Sequence, residues 1–415
     1  MTRSLHRLLP LVLTAFIVLI TGCGSPTQPL IARPTPRAVS TNLEPTETPS
    51  VSAPIALRIL DVGGSQQLLK MATDSYVAAH PDRVSKIEWV RGAVPDLLKT
   101  IQGEQAAGSL QTAVVASGLD GLSLGAESGL WMHLRPEYAD KLPRPEDVYQ
   151  EPALRLNALS DGLGLLTVYS PSGPLLEYAP ARVPNAPHSA QALLDWARQN
   201  PGKFMYARPA NSGPARSFIM GLPYLLGDVE PRDPIHGWDK TWAYLKELDR
   251  AIEYYPSGTG VTMKELAEGT RWMIPTTTGW DVNQRAIGTL PRDTRAALFT
   301  SPGGHWVADA QFFLVPQGLD AGRLAVVLDL MPWVLQPEQQ ATAYETGYFY
   351  PGPAVRGIVP AMAPKDAQQL IQEFGRPEVD EAIANLPVAM PLDSKLMSAF
   401  FDKWDQLAGD KIKKS

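Results

Sequence analysis

The side chains that could carry out acid–base, nucleophilic or metal chemistry are few and scattered. No two of the six histidines stand at the spacing that places a pair of metal ligands on one helix face, and they lie at positions 6, 80, 133, 188, 236 and 305. The sequence has no H-E-x-x-H zinc motif and no phosphate-cradling G-x-x-x-x-G-K-[S/T] loop. No pair of acidic residues stands out as acid and base. We therefore expect no catalysis, no bound metal and no cofactor.

Tyr254 and Tyr255 offer one exception, because adjacent tyrosines bind ferric iron in some exported binding proteins. No histidine or carboxylate partner is evident near them in the sequence. The alternative is a pair in a strand, with one ring turned inward and the other outward. We expect the second arrangement.

Cys23 is the only cysteine, so neither an intramolecular disulfide nor a thiolate metal site can form. It follows Arg3, Arg7 and the apolar run 8–20, which has the length of a signal-peptide core and is shorter than the roughly 20 residues of a spanning helix. Ile-Thr-Gly-Cys resembles the lipobox of bacterial lipoproteins. The resemblance implies a cleaved signal peptide, residues 1–22, and a lipid on Cys23. The alternative is an inert cysteine behind an ordinary signal.

Residues 24–54 are rich in Pro, Thr and Ser and lack hydrophobic periodicity, which predicts an extended spacer. Beyond residues 8–20, no apolar stretch is long enough to cross a bilayer. A net charge of −6 provides no basic field and argues against nucleic-acid binding. The expected location is therefore the cell membrane, with a soluble body held by lipid on its extracytoplasmic side.

The body begins with alternating strands and helices. A β-rich segment at residues 55–62 leads into Gly63-Gly64-Ser65 and then a helical pattern, with Ser65 as a candidate N-cap. Two further strand–helix units follow, and the third strand ends at Ser117-Gly118-Leu119-Asp120. This order predicts a parallel α/β sheet, in which ligands bind beyond the carboxyl ends of the strands. The two loops are candidate binding loops, or else ordinary βα turns.

Later segments complete the pattern without an internal repeat. A strand is predicted at 162–173, and Asn211-Ser212-Gly213 precedes a helix. A polar and aromatic loop, TTTGWD, spans residues 276–281, and a long strand follows within residues 305–316. The end of the chain is mostly helical, apart from an extended patch in GYFYPGPA.

These pieces, in this order, resemble a family 1 extracellular solute-binding protein of an ABC importer over about residues 55–405. The segments NPGKF, RPANSG, FFLVP and LQPEQQ carry the resemblance together with the lipobox. It implies an α/β, two-lobed fold of the type II periplasmic-binding-protein kind, with two strands crossing a hinge. On that pattern, residues 55–166 and 310–415 form lobe one and residues 167–309 form lobe two.

The resemblance also implies which residues face the solute in the cleft between the lobes. They match four loops and one segment of the family: Gly63, Gly64 and Ser65; Ser117, Gly118 and Asp120; Asn211, Ser212 and Gly213; Thr277, Thr278, Gly279, Trp280 and Asp281; and Tyr348 with Tyr350. For the last two tyrosines, core packing is the alternative.

Two departures from the family pattern bear on the solute. Pro214 removes an N–H donor where many relatives have threonine or glycine, which weakens anion capture at that helix start. Trp280-Asp281 provides an aromatic face and a negative charge, which suit a cation such as a polyamine or a thiamine-like heterocycle. The alternative is a packed tryptophan beside a solvated aspartate.

The resemblance implies a monomer that binds a small molecule and delivers it to a permease with its ATPase. The alternative from a different class is an exported lipoprotein enzyme, or a ferric- or oxyanion-binding protein on the same fold.

Overall fold

The computed structural model describes residues 53–300, 303–347 and 353–412. The signal peptide, Cys23 and most of the spacer lie outside this part of the chain, as do Tyr348 and Tyr350 in the extended patch. Among the described residues, no helix combines the length and the apolar character needed to cross a bilayer.

The strands of the described chain divide between two sheets. In chain order they are β1 (Ile55–Asp61), β2 (Val84–Arg91), β3 (Val114–Ser117), β4 (Gly164–Gly173), β5 (Leu175–Tyr178), β6 (Met273–Thr276), β7 (Arg295–Leu298), β8 (Trp306–Leu314) and β9 (Val388–Ala389).

The helices alternate with the strands at first and then dominate the C-terminal part. They are α1 (Gln66–Ala79), α2 (Val94–Ala106), α3 (Leu119–Glu127), α4 (Pro145–Val148), α5 (Glu151–Ala158), α6 (Ala190–Gln199), α7 (Gly213–Leu226), α8 (Asp239–Asp249), α9 (Thr259–Ala267), α10 (Trp280–Ala286), α11 (Ala321–Val334), α12 (Pro337–Ala341), α13 (Lys365–Phe374), α14 (Pro377–Asn385) and α15 (Ser394–Ala408).

The first sheet has the strand order β2-β1-β3-β8-β4, with β9 beside β8. β1 runs parallel to β2 and β3, as the alternation of strands and helices predicts. β8 enters between β3 and β4 and is antiparallel to both. The second sheet is smaller, with order β6-β5-β7 and antiparallel pairing throughout.

Two strands connect the sheets. β4 leaves the first sheet and the chain enters β5 of the second at Leu175. β8 follows β7 of the second sheet and returns to the first. The two connecting strands pair with each other, from Gly164 opposite Leu314 to Gly173 opposite Val307. The two-lobed arrangement with two crossing strands is therefore present.

Each sheet has its own hydrophobic core. The first core gathers buried residues from β1 to β4, from β8 and from α11, including Ile59, Val115 and Phe312. The second gathers β5 with helices α6 to α8, including Leu176 and Phe218. We call the bodies around these cores the first and the second lobe. The exact lobe boundaries given above stay a proposal.

The proposed boundaries place residues 310–415, and with them the last helix, in the first lobe. Asp393 caps α15 by accepting a hydrogen bond from the Leu396 amide at 3.0 Å. The apolar residues that follow recur every three or four positions and form one face of the helix. Met397, Phe400 and Trp404 on that face belong to the second core. α15 thus packs its apolar face on the second core and also contacts α3 of the first lobe.

Candidate functional site

A cavity of about 80 Å³ lies between the lobes, beside the paired strands β4 and β8 that connect them. Gly63 and Gly64 line it from the first lobe, and Thr278 and Trp280 line it from the second. Ser170 of β4 and Asp309 of β8, which are partners in the strand pairing, form part of its wall. Clefts that hold drug-sized ligands measure about 300–1,000 Å³. The lobes therefore lie close together around this space.

The loop after β1 borders the cavity, and three of its backbone amides donate within the protein. The Asp61 carboxylate accepts hydrogen bonds from the amides of Gly63 at 3.2 Å, Ser65 at 2.9 Å and Gln66 at 2.9 Å. Asp61 thus caps α1, and the Ser65 side chain, expected as the cap, makes no cap hydrogen bond. The amides of Gly63, Ser65 and Gln66 are thus used within the protein, and a role of this loop in binding stays a prediction.

Gly63 and Ser65 instead connect the first lobe to β8. The Ser65 hydroxyl donates to Gln311 Oε1 at 3.2 Å. A Cβ atom on Gly63 would lie 1.9 Å from the same oxygen and 3.1 Å from the Gly118 amide nitrogen. A side chain at position 63 would therefore displace the Gln311 side chain and press against the Gly118 backbone.

The loop after β3 meets the second lobe rather than the cavity. Ser117 is buried, and Gly118 precedes the first turn of α3. Asp120 in that turn faces Arg216 of α7, with 3.7 Å between Oδ2 and Nη1. This ion pair joins the two lobes directly.

The loop before α7 is used mainly to start that helix. The Ser212 hydroxyl accepts from the Ala215 amide at 3.3 Å and lies 2.8 Å from the Thr259 hydroxyl. A Cβ atom on Gly213 would lie 3.6 Å from Asp309 Oδ2, so the helix start lies beside that carboxylate. Asn211 lies in a neighbouring groove with Arg208, away from the cavity.

The loop after β6 is attached to the crossing strand. The Thr278 hydroxyl donates to the Pro171 carbonyl at 2.9 Å and lies 2.9 Å from the Ser170 hydroxyl. The Thr278 amide donates to the Ser172 carbonyl at 3.0 Å. Thr277, Thr278 and Trp280 line the cavity. Of the loops expected at the site, this one and the β1 loop are brought together.

Asp281 does not face the cavity, contrary to the expectation that it offers a charge to a cation. Its side chain is 1 % exposed and pairs with Arg376 and Arg285. Arg376 Nη2 donates to its Oδ1 at 2.9 Å. Burial raises the pKa of this carboxyl, while the two guanidinium groups lower it. The carboxylate is thus neutralised inside the second lobe, because its charge would otherwise be buried alone.

Asp309 is the carboxylate that does line the cavity, and the sequence-based prediction missed it. Burial raises the pKa of Asp309, and the nearby guanidinium of Arg216 lowers it. None of the ion pairs within the described ranges includes Asp309. The signal was present in the strand: Asp309 and Gln311 are polar residues two positions apart in apolar β8, so both point to one face.

Two other features of possible chemical interest have structural explanations. Tyr255 is fully buried, packs 4.9 Å from the Trp404 ring centroid and donates to Asp249 at 3.0 Å. Tyr254 bonds to Glu265. Gly-Leu-Ser-Leu-Gly at residues 121–125 has the spacing of a nucleophile elbow, but it lies within α3 and not at a strand-to-helix turn. In the part of the chain that the structure describes, no group of His, Cys, Asp and Glu could hold a metal ion.

Comparisons with known proteins agree with this geometry. Residues 72–371 match the family described as bacterial extracellular solute-binding protein. The spermidine/putrescine ABC transporter substrate-binding protein PotD from Streptococcus pneumoniae superposes with a TM-score of 0.59 at 15 % identity, covering 85 % of this chain and 98 % of that chain. The periplasmic binding protein AfuA from Actinobacillus pleuropneumoniae, with fructose-6-phosphate bound, superposes with a TM-score of 0.59 at 16 % identity, covering 85 % of this chain and 99 % of that chain. A periplasmic thiamin binding protein superposes with a TM-score of 0.59 at 13 % identity, covering 86 % of this chain and 96 % of that chain.

No curated protein matches the sequence. At these low identities, the structural likeness shows the fold alone, which is the two-lobed α/β fold of type II periplasmic binding proteins. The family match confirms the resemblance to bacterial extracellular solute-binding proteins. The family is one of solute-binding proteins rather than enzymes, and its members act outside the cytoplasm.

Asp380, near the buried Asp281, gives a pH-dependent prediction. Burial and the charge of Asp281 raise the pKa of Asp380 to about 6. Because this lies above the ordinary value of about 4, the carboxyl favours folding when protonated, and that contribution is lost as the pH rises through about 6. We expect Asp380→Asn to raise the melting temperature at pH 7.5 and to change it little at pH 4.

Thermal unfolding at the two pH values measures this difference. Glu378→Gln, an exposed position in the same helix, serves as the control and should not reproduce the gain at pH 7.5. An equal change for Asp380→Asn at both pH values would contradict the assignment.

Proposed function

The chain belongs to the bacterial extracellular solute-binding protein family, and we propose that it captures a positively charged solute for an ABC importer while a lipid on Cys23 holds it at the membrane. The solute binds between the lobes, next to Asp309. Closure of the hinge removes the solute from water and changes the surface that the permease meets. The protein acts as a monomer that delivers its solute to a permease and ATPase complex.

The position of Asp309 is the observation that carries the choice of a cation. A carboxylate whose pKa is raised by burial gains stability when a positive charge binds beside it. Trp280 adds an aromatic face to the same cavity, and indole rings attract cations through their π-electrons. The role first given to Asp281 is thus taken by Asp309. Two of the superposed structures are named for thiamin and for spermidine/putrescine, which are cations.

An anionic solute fits the site less well. The amides of Gly63, Ser65 and Gln66 donate to Asp61, and Pro214 at the start of α7 has no N–H to offer. The Asp309 carboxylate would repel a phosphate or another oxyanion in the cavity. A sugar phosphate is bound in the AfuA structure, so the shared fold alone does not decide the charge of the solute.

The membrane attachment rests on the sequence at the N-terminus. The order of Arg3, Arg7, the apolar run 8–20 and Cys23 is typical of a lipoprotein signal. Two or more acyl chains hold a protein firmly, whereas a single one binds weakly. Residues 24–54 then act as a spacer that lets the lobes reach the permease.

Replacing the cavity carboxylate tests the proposed solute class. Spermidine, putrescine and thiamine serve as cationic probes, with glucose, phosphate and ferric citrate for comparison, and binding is followed by thermal shift and calorimetry. We expect a cation to bind the parent protein and Asp309→Asn to weaken it about 10- to 100-fold, since a charge-assisted contact contributes about 1.5–3 kcal/mol. Asp147→Asn, an exposed carboxylate paired with Arg144, should bind like the parent.

A rise in melting temperature with phosphate or a sugar, and with none of the cationic probes, would overturn the cation proposal. Equal cation affinity in Asp309→Asn and the parent would remove Asp309 from the site.

The lipid anchor is tested at Cys23. We expect Cys23→Ser, expressed in a bacterial host that processes lipoproteins, to lose incorporation of a clickable palmitate analogue and to leave the membrane fraction. The parent protein should be labelled and should sediment with membranes until detergent is added. Membrane association of the Ser variant equal to that of the parent would contradict the anchor.

A further inference from the structure

Trp280, the first residue of α10, lines the cavity. The helix itself has few features that fix its orientation. It spans only Trp280–Ala286 and follows Gly279, whose φ is +83°. Its N-cap residue provides no side-chain hydrogen bond. Helices this short are not stable alone, because nucleation costs more than a few hydrogen bonds return. Contacts with other segments must therefore set the orientation of α10.

Those contacts come from two C-terminal segments, the 3-10 turn Thr342–Gly347 and the segment around α13. Arg376 Nη2 donates to Asp281 Oδ1 at 2.9 Å, in the first turn of α10. Arg285 of α10 donates to the Asp281 carbonyl at 3.0 Å and to the Phe374 carbonyl at 2.8 Å. Phe374 also packs against Val282. One side of α10 is thus joined to residues 374–376, while Trp280 at its start lines the cavity.

The charges in this cluster are almost completely removed from water. Asp281 is 1 % exposed, the Arg285 and Arg376 side chains 5 % and 6 %, and Glu177 of β5 lies buried beside them. Buried ion pairs of this kind are often no more stabilising than well-packed apolar residues of similar volume. Such pairs fix the relative orientation of the segments that carry them, because the planar guanidinium of arginine donates to a carboxylate in only a few geometries.

We propose that Arg376 is a positioning residue for the solute site. Through Asp281 it holds the first turn of α10, and thereby sets Trp280 against the cavity. The C-terminal segment thus determines the aromatic wall of the site although it contributes no residue to that wall. This role rests on the proposed function insofar as Trp280 contacts the solute, but the placement of Trp280 can be measured without one.

The test uses the full chain labelled with 5-fluorotryptophan and ¹⁹F NMR. The sequence has 10 tryptophans, and the Trp280 resonance is assigned by its loss in Trp280→Phe. The variants are Arg376→Met, Arg376→Lys and the double variant Asp281→Asn/Arg376→Met. Arg208→Met is the matched control, because Arg208 also links the second lobe to the C-terminal part through Asp405 but lies at another site.

We expect the Trp280 resonance to shift or broaden in all three cluster variants, while the other tryptophan resonances keep their positions. Arg376→Met alone leaves the buried Asp281 carboxylate with the more distant Arg285, at 3.8 Å, and should lower the melting temperature. The double variant removes both charges of the Arg376–Asp281 pair and should recover part of that loss. Recovery of stability without recovery of the Trp280 resonance separates positioning from a purely structural role. Arg208→Met should leave the Trp280 resonance unchanged.

An unmoved Trp280 resonance in the folded double variant or in Arg376→Lys would overturn the proposal, as would an equal shift in Arg208→Met. No solute is added in this experiment. Failure of every cationic probe to bind would therefore count against the proposed function alone, and an unmoved Trp280 resonance against the positioning role alone.

Discussion

The structure depends on the pairing of β4 with β8. Each strand passes once between the lobes, in opposite directions, and the two are hydrogen-bonded to each other. Any motion of one lobe against the other must therefore bend the same pair of strands. Ser170 and Asp309 face each other within this pair and line the cavity. The polar groups of the site thus lie on the element that a hinge motion deforms.

The two lobes reach the cavity through different kinds of contact. The first lobe brings its glycine loop close to β8, where Gln311 accepts from Ser65. The second lobe fastens Thr278 to β4 through its hydroxyl and its amide. Outside the cavity, Asp120 and Arg216 pair directly across the lobes. A solute that changes the spacing of the lobes therefore acts on a few identifiable polar contacts.

Two aspartates of the site region differ in how far arginine side chains compensate their charge. Burial raises the pKa of both Asp281 and Asp309. Asp281 meets two arginines inside the second lobe, so its charge is compensated within the protein. Asp309 lies at the cavity with the charge of Arg216 nearby. A ligand can add to the stabilisation of a charge only where the protein has left part of it uncompensated, which favours Asp309.

Local patterns predicted the strand–helix alternation and the candidate loop after β1, and the family resemblance implied the crossing strands and the loop after β6. They failed where a partner lies far along the chain. One partner of Asp281 is Arg376, 95 positions away, and no local sequence pattern predicts this pair. α15 has a clear apolar face, but its sequence does not say which lobe will cover it. Asp309 was predictable from the polar alternation in β8, but it lies within a strand and not in one of the predicted binding loops.

Hydrogen–deuterium exchange with mass spectrometry tests most directly whether the solute lies between the lobes. The protein is compared with and without a saturating amount of whichever probe raises its melting temperature. The account predicts added protection in three places at once, namely residues 63–66, residues 276–282 and the facing parts of β4 and β8. Protection restricted to the segments of a single lobe would contradict binding between the two.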